Sequence, residues 1–397
     1  MMKKIIILMP SMFIGGAERS LLGLLDSIDY SDYDVTLFLY RHEGEFLKYI
    51  PEQVHLLPEI PQYRTFDTPI RSLLFSPQMP FGVGRVLSKL AMWHHVRSTS
   101  EKRGVWMSMQ YTARFLQPLL PQIPGEYDLG IMYLGIADTL INKVTANKKI
   151  TWNHTDYRTL FPNSAMDRKT YSKVDAIVSV STDCTETLKR FYPELGGKAI
   201  TIENSLSENF VRECSAQPQT DMPLDGAIKI LSVGRFCDAK NFDNVPDICR
   251  RLVKDGLNVK WYLIGYGGDE PLIRQKITEA EMQDRVIILG KRDNPYPYMR
   301  ACDLYVQPSR YEGKAVTVRE AQLLGKPVVI TNYATSASQL EDGVDGVIVP
   351  MDNVGCAVGI AALLRDPARM QQLSENCAKR DYTNSAEVEK IYALMED

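Results

Sequence analysis

The stretch Pro308–Val329, "PSRYEGKAVTVREAQLLGKPVV", decides how the rest of the chain is read. Before it, Leu304–Gln307 is a short apolar run of strand character. Pro308–Gly313 is a loop, and Ala315–Leu324 has a helical pattern that Gly325-Lys326-Pro327 stops. Two glutamates frame the helix start, Glu312 at the exit of the loop and Glu320 about two turns inside the helix. The first amides of a helix lack intrahelical acceptors and carry the positive end of its dipole, so those of Gly313, Lys314, Ala315, Val316 and Thr317 form a ready anion site. A carboxylate can accept both hydroxyls of a diol, which suits Glu320 to a ribose or sugar ring. The plain alternative is a solvated helix glutamate.

Around this stretch, apolar runs alternate with helical patterns. Ile228–Val233, Val259–Ile264, Val286–Leu289, Leu304–Gln307, Val328–Thr331 and Val347–Val349 are candidate strands. Helical patterns at 244–254, 270–279, 296–301 and 315–324 lie between them. The first half repeats the arrangement with Ile5–Met9, Val35–Tyr40, Leu129–Met132, Ile150–Asn153, Ala176–Val180 and Ala199–Glu203. Runs this apolar are strands buried on both faces, and the alternation predicts two doubly wound, largely parallel sheets. Segment 207–227 is polar and aperiodic, and its later part reads as a linker. The expected domains are 1–215, 216–380 and a C-terminal helix, 381–397, packing back on the first.

Composition sets the outer limits. The 397 residues are 45% hydrophobic and 24% charged with net charge −3, an ordinary globular balance that does not mark the molecule as a whole as a polyanion binder. Seven scattered cysteines with no C-x-x-C pair predict reduced thiols and a cytoplasmic setting. The opening "MMKKIIILMP" reads as a buried strand, since its apolar run is too short for a signal peptide.

Residues 60–125 differ from the rest. Eight cations (Arg64, Arg71, Arg85, Lys89, Arg97, Lys102, Arg103, Arg114) face only Asp67 and Glu101, a local balance of +6. Phe75, Phe81, Trp93, Trp106, Tyr111 and Phe115 are interleaved. The segment is either a solvated basic helical insertion or a patch for an anionic membrane surface, where aromatics sit at the interface. No recognition motif for nucleic acid accompanies it.

Three glycine turns follow strands. "PSMFIGGAERSLL" places Gly15 and Gly16 at a strand–helix turn, either a tight connection or a close approach to a ligand. "SVGRFCDAKNFD" carries Gly234, with Arg235 and Lys240 around the turn. Two cations there suit a diphosphate and can stabilise a departing nucleotide. "LIGYGGDEPLI" contributes Gly265 in a further strand–turn–helix.

Taken together, "GGAERSLLGLL", "VDAIVSVS", "SVGRF…AKNFD", "LIGYGGDE", "DLYVQPSRYEG" and the Glu-x7-Glu run resemble retaining glycosyltransferases of family 4, in order and spacing, over most of the chain outside 60–125. The resemblance is strongest to members that build bacterial cell-surface polysaccharides such as capsule. It implies the α/β GT-B fold, two Rossmann-like domains facing across a cleft, the first for the acceptor and the second for the nucleotide-sugar. It implies a metal-independent, retaining hexosyl- or related transferase that uses no cofactor. The donor is a nucleotide-sugar, with UDP the commonest nucleotide, and the acceptor a glycan, lipid-linked where the basic insertion meets the inner face of the plasma membrane. By the resemblance Arg235 and Lys240 hold the diphosphate, Glu320 the ribose and Glu312 the donor sugar. The amides from Gly313 through Lys314, Ala315 and Val316 line the diphosphate, Gly16 lies beneath donor and acceptor, and His154 in "TWNHTDY" is the active-site histidine. The chain departs from the common pattern at Lys314 and Ala315, and at "IENSLSE", which keeps Asn204 but lacks the usual glycine. An epimerase or phosphorylase on the same architecture, or a non-catalytic sugar-nucleotide-binding subunit supporting a partner transferase, are the competing functions.

Overall fold

The computed structural model describes residues 2–396 except 100, 101, 156, 219, 220 and 313. The chain divides into two compact units, Met1–Ser207 with Asn384–Asp397, and Glu208–Thr383. The first unit ends at Ser207, not at 215 as the polar composition of that segment suggested. Glu208–Ser215 is a helix that buries Phe210, Val211 and Cys214. Phe210 packs edge-on against Tyr296, and Asn294 Nδ2 donates to the Cys214 carbonyl at 2.9 Å, so this helix belongs with the second unit.

The first unit holds a seven-stranded sheet in the order β3-β2-β1-β4-β5-β6-β7. Its strands are β1 (Lys3–Met9), β2 (Tyr33–Leu39), β3 (His55–Leu56), β4 (Glu126–Met132), β5 (Thr145–Asn153), β6 (Ala176–Ser179) and β7 (Ala199–Thr201). All neighbours pair in parallel. Parallel strands require crossovers, and helices cover both faces, which is why the strand cores are runs of Ile, Leu and Val. Segment 60–125 is helical, with Ile70–Leu74, Met79–Thr99 and Val105–Leu116. The last of these is tied down at a buried carboxylate. Asp167 accepts from Tyr157 and Tyr192 and, through Oδ1, from Trp106 Nε1 at 3.2 Å and Gln110 Nε2 at 2.5 Å. Burial pushes the Asp167 carboxyl up to about 6 against those donors. At the chain's end, helix Val388–Ala393 returns to β2, where Tyr392 stacks on Tyr33 with centroids 3.9 Å apart.

The second unit holds a six-stranded parallel sheet in the order β10-β9-β8-β11-β12-β13. The strands are β8 (Ile228–Val233), β9 (Val259–Ile264), β10 (Val286–Gly290), β11 (Leu304–Gln307), β12 (Val328–Thr331) and β13 (Val347–Val349). Its core packs Ile230, Trp261, Leu263, Leu304 and Val306 beneath the flanking helices. A buried polar chain crosses the middle strands: Trp261 Nε1 donates to Ser232 Oγ at 2.9 Å, and Ser232 Oγ to the Val306 carbonyl at 2.5 Å. In each sheet the strand order reverses once, between β1 and β4 and between β8 and β11. Those reversals leave a crevice at the carboxyl ends where open α/β sheets bind ligands. No helix among the described residues is long and apolar enough to cross a membrane.

Candidate active site

In the second unit the reversal point is built from the loop after β8 and the loop after β11. They are stitched together residue by residue. Arg310 clamps Asp243 with two hydrogen bonds, 3.0 and 2.8 Å, and its backbone amide donates to the Ala239 carbonyl at 2.9 Å. Asn241 adopts a left-handed conformation (φ 59°), which non-glycine residues other than Asn and Asp rarely take, and its side chain donates to the Pro308 carbonyl at 2.9 Å. Thr331 Oγ1 at the end of β12 donates to the Ser309 carbonyl at 2.5 Å. These bonds bring Lys240 and Glu312 together although 71 residues separate them in sequence. Lys240 Nζ lies 2.5 Å from Glu312 Oε1, with the two side chains 19% and 10% exposed. Ser309 Oγ donates to the same oxygen at 2.6 Å.

The proposed phosphate cations therefore differ in state. Lys240 is engaged with Glu312, whereas Arg235 is exposed and its guanidinium has no partner among the described residues. Gly234 and Gly265 meet directly: a Cβ on Gly265 would lie 1.8 Å from the Gly234 carbonyl oxygen. Gly265 is needed for the packing of two loops against each other, a role its sequence pattern alone did not distinguish from approach to a ligand.

The helix Val316–Leu323 starts beside Glu312, and Ala315 is its N-cap. The Ala315 amide, expected to line the anion site, is not open to an anion. It donates to Gln339 Oε1 at 2.7 Å, while Gln339 Nε2 donates back to the Ala315 carbonyl at 3.3 Å. Gln339 thereby pins the loop through both backbone groups of one residue. Val316 and Thr317, in the first turn, keep amides that have no intrahelical acceptor. Lys314 is exposed. Gly313 lies outside the described residues. Glu320 is fully buried, and Tyr296 donates to its Oε1 at 2.7 Å. A glutamate at 0% exposure is not the solvated helix residue of the plain alternative.

In the first unit Gly15 is the extended N-cap of helix Gly16–Ser27. A Cβ on Gly16 would touch nothing within 4 Å, so the close approach expected there has open space above it. Below, Ser20 Oγ lies 2.6 Å from both Tyr133 Oη and Asn204 Oδ1, which gives Asn204 a buried structural partner. His154 follows β5. Its Nε2 donates to the Tyr133 carbonyl at 2.9 Å, since a carbonyl only accepts, and this leaves Nδ1 as the acceptor nitrogen. The ring packs against Tyr133, with centroids 4.8 Å apart, and more distantly stacks with Trp152. Burial lowers its pKa to about 4, so the imidazole is neutral at pH 7.

A histidine whose folded value lies near 4, against an ordinary value of about 6.5, contributes stability that is complete above 6.5 and is lost as pH falls toward 4. The loss amounts to about 3 kcal/mol at most. Urea melts at pH 7.5 and pH 5 are expected to show the wild type losing clearly more stability on acidification than His154→Gln. Parallel pH dependence would show that the ring is not held neutral.

Sequence reading missed the residues that assemble this site: Arg310 with Asp243, Asn241, Tyr296 and Gln339. Asn241, directly after Lys240, carried a local signal as a turn-forming Asn. The others act across 24 to 67 residues and have no local signature. Among the described residues no cluster of three or more His, Cys, Asp or Glu is placed to hold a metal ion.

Comparison with known proteins agrees with this architecture. Residues 220–380 match the family model "Glycosyl transferases group 1". The lipopolysaccharide core biosynthesis glycosyltransferase LpsD of Rhizobium meliloti (strain 1021) is 28% identical over 209 residues, 51% of this chain and 57% of that protein. An N-acetylgalactosamine-N,N'-diacetylbacillosaminyl-diphospho-undecaprenol 4-alpha-N-acetylgalactosaminyltransferase of Campylobacter jejuni is 30% identical over 38% of this chain and 40% of its own length. The chain thus spans between two fifths and about three fifths of these two curated relatives. Anabaena Alr3699/HepE, crystallised with UDP and glucose, superposes with a TM-score of 0.62 at 17% identity over 99% of both chains. The chain therefore has the GT-B fold, and its residues 220–380 match the glycosyl transferases group 1 domain.

Proposed function

We propose that this protein is a retaining glycosyltransferase of family 4 that moves a sugar from a UDP-sugar to a hydroxyl of a lipid-linked glycan in cell-surface polysaccharide synthesis. The observation that carries the reading is the pair Lys240–Glu312 beside the start of helix Val316–Leu323, at the strand reversal of the second unit. A cation, a carboxylate and unpaired helix amides at one strand end are the groups a nucleoside diphosphate-sugar requires. Arg235 and Lys240 supply the positive charge for the departing diphosphate, and the reaction needs no metal. Glu320 holds the ribose and Glu312 the sugar. The neutral His154 offers Nδ1 as an acceptor for a sugar hydroxyl. Transfer occurs on one face, with the leaving diphosphate taking the acceptor's proton. The names of the two relatives, lipopolysaccharide core biosynthesis for the R. meliloti protein and transfer to a diphospho-undecaprenol glycan for the C. jejuni protein, support a lipid-linked acceptor and a setting at the inner face of the plasma membrane.

Calorimetry with UDP, GDP and ADP, without metal, tests the donor site. UDP is expected to bind tightest, and Glu320→Gln, which retains an acceptor for Tyr296, to weaken it about 10- to 100-fold, as for loss of charge-assisted hydrogen bonds. Equal affinity in wild type and variant would remove Glu320 from the site. No binding of any nucleotide would favour a non-catalytic role.

A further inference from the structure

Tyr333 is the second residue after β12, in the loop that wraps Glu312. Two residues further on, Thr335 Oγ1 donates to the Glu312 carbonyl at 2.8 Å. Tyr333 is 1% exposed, and its hydroxyl has no hydrogen-bond partner among the described residues. Burial, with the Glu312 carboxylate adding to it, holds the phenol far above its usual titration range, so the group is a protonated donor at every relevant pH. A buried hydroxyl with no partner is costly, and phenylalanine would fill the same space without that cost. Among the described residues the fold makes no hydrogen bond to this oxygen. Exceptions of this kind concentrate where a ligand completes the bond.

We propose that the Tyr333 hydroxyl is a specificity-determining donor that pairs with a hydroxyl of the transferred sugar beside Glu312. This rests on the donor-site reading above. Glu312 as an acceptor and Tyr333 as a donor, together on one side of a sugar ring, would read the orientation of neighbouring hydroxyls. A site built to hydrogen-bond a hydroxyl discriminates against an epimer because its own buried group is then left unpaired.

The test is Tyr333→Phe, measured three ways: thermal melting without ligand, calorimetry with UDP, and calorimetry with UDP-glucose, UDP-galactose and their N-acetyl forms. The melting temperature is expected to stay level or rise, and UDP affinity to remain unchanged. Affinity for the preferred UDP-sugar is expected to fall about two- to tenfold, narrowing its lead over the epimer. A fall in melting temperature of about 4 °C or more would show that the hydroxyl has a structural partner and overturn the proposal. UDP-sugar binding identical to wild type would overturn it too, while leaving the donor site intact. A wild type that binds none of these nucleotides would remove the donor-site reading and this inference with it.

Discussion

Lys240→Met is expected to lower kcat about 100- to 1,000-fold, because catalysis of the proposed sugar transfer would rest chiefly on stabilising charge on the leaving diphosphate. The structure makes the test sharper than a single substitution. Lys240 is bonded at 2.5 Å to Glu312, so losing the ammonium also strands a carboxylate that is 10% exposed. Two explanations for lost activity would then be confounded: a missing phosphate cation and a disturbed Glu312. A double-mutant cycle separates them. If Lys240 serves only to neutralise Glu312, Lys240→Met in a Glu312→Gln background is nearly silent. If Lys240 leaves Glu312 for the diphosphate when donor binds, the double variant remains about 100-fold or more below Glu312→Gln alone. The cycle is measured on kcat at saturating donor. Arg235→Ala belongs in the same series. Its guanidinium is exposed and has no partner among the described residues, so its loss disturbs no pair and reports on the ligand alone.

The sheet was legible because a parallel strand buried on both faces is written locally. Ile228–Val233, Val259–Ile264 and Leu304–Gln307 fall where the apolar runs placed them. β5 begins at Thr145, earlier than its apolar part. Its polar leading residues still pair in register with β4, Glu126 opposite Thr145, where the strand emerges from the covering helices. The two-residue β3 was not legible, since an edge strand at His55–Leu56 buries too little to leave a pattern. Helix Glu208–Ser215 was hidden by its charged face, although Phe210, Val211 and Cys214 recur at helical spacing. At the candidate site, the sequence yielded the residues with charge but not the pairs. Nothing near Lys240 announces that its partner is Glu312, and nothing near Ala315 announces Gln339. Such pairs depend on which loops the strand order makes neighbours. That order becomes visible only once β8 and β11 are seen side by side.

The second large effect concerns the basic insertion. Replacing Leu87 and Leu90 together by Asp is expected to abolish binding to anionic vesicles while UDP binding is unchanged. Helix Met79–Thr99 buries Phe81, Gly82, Gly84, Ser88 and Met92 on one side. Its opposite side is also apolar: Met79, Val83, Val86, Leu87, Leu90 and Trp93 are all exposed, Leu90 at 57% and Trp93 at 56%. Their spacing of three and four residues makes one continuous stripe. A contiguous exposed apolar stripe of this kind marks an interaction surface rather than an ordinary water-facing side. Lys89, Arg97 and Arg103 line a groove with Leu90, Trp93 and Val96, and the Arg97 guanidinium lies 4.6 Å from the centre of the Trp93 ring. The pattern of an apolar stripe bordered by cations with an aromatic at the boundary fits a helix lying in the plane of an anionic interface. A solvated basic insertion explains the charge but not the stripe. In magnitude, a half-exposed leucine gains about 1 kcal/mol on burial, and each nearby cation contributes about 1 kcal/mol at an anionic surface. Removing two leucines and adding two like charges to the membrane therefore costs at least about 3 kcal/mol, roughly a 100-fold loss of partitioning. Replacing Lys89, Arg97 and Arg103 by Gln should cost a similar amount at low salt and progressively less as salt screens the surface. Sedimentation with phosphatidylglycerol-containing vesicles measures both variants, and the Trp93 environment can be followed by quenching from brominated lipids. Wild-type protein that stays in the supernatant at low ionic strength, or the leucine variant pelleting as wild type does, would show that the stripe meets something other than a bilayer.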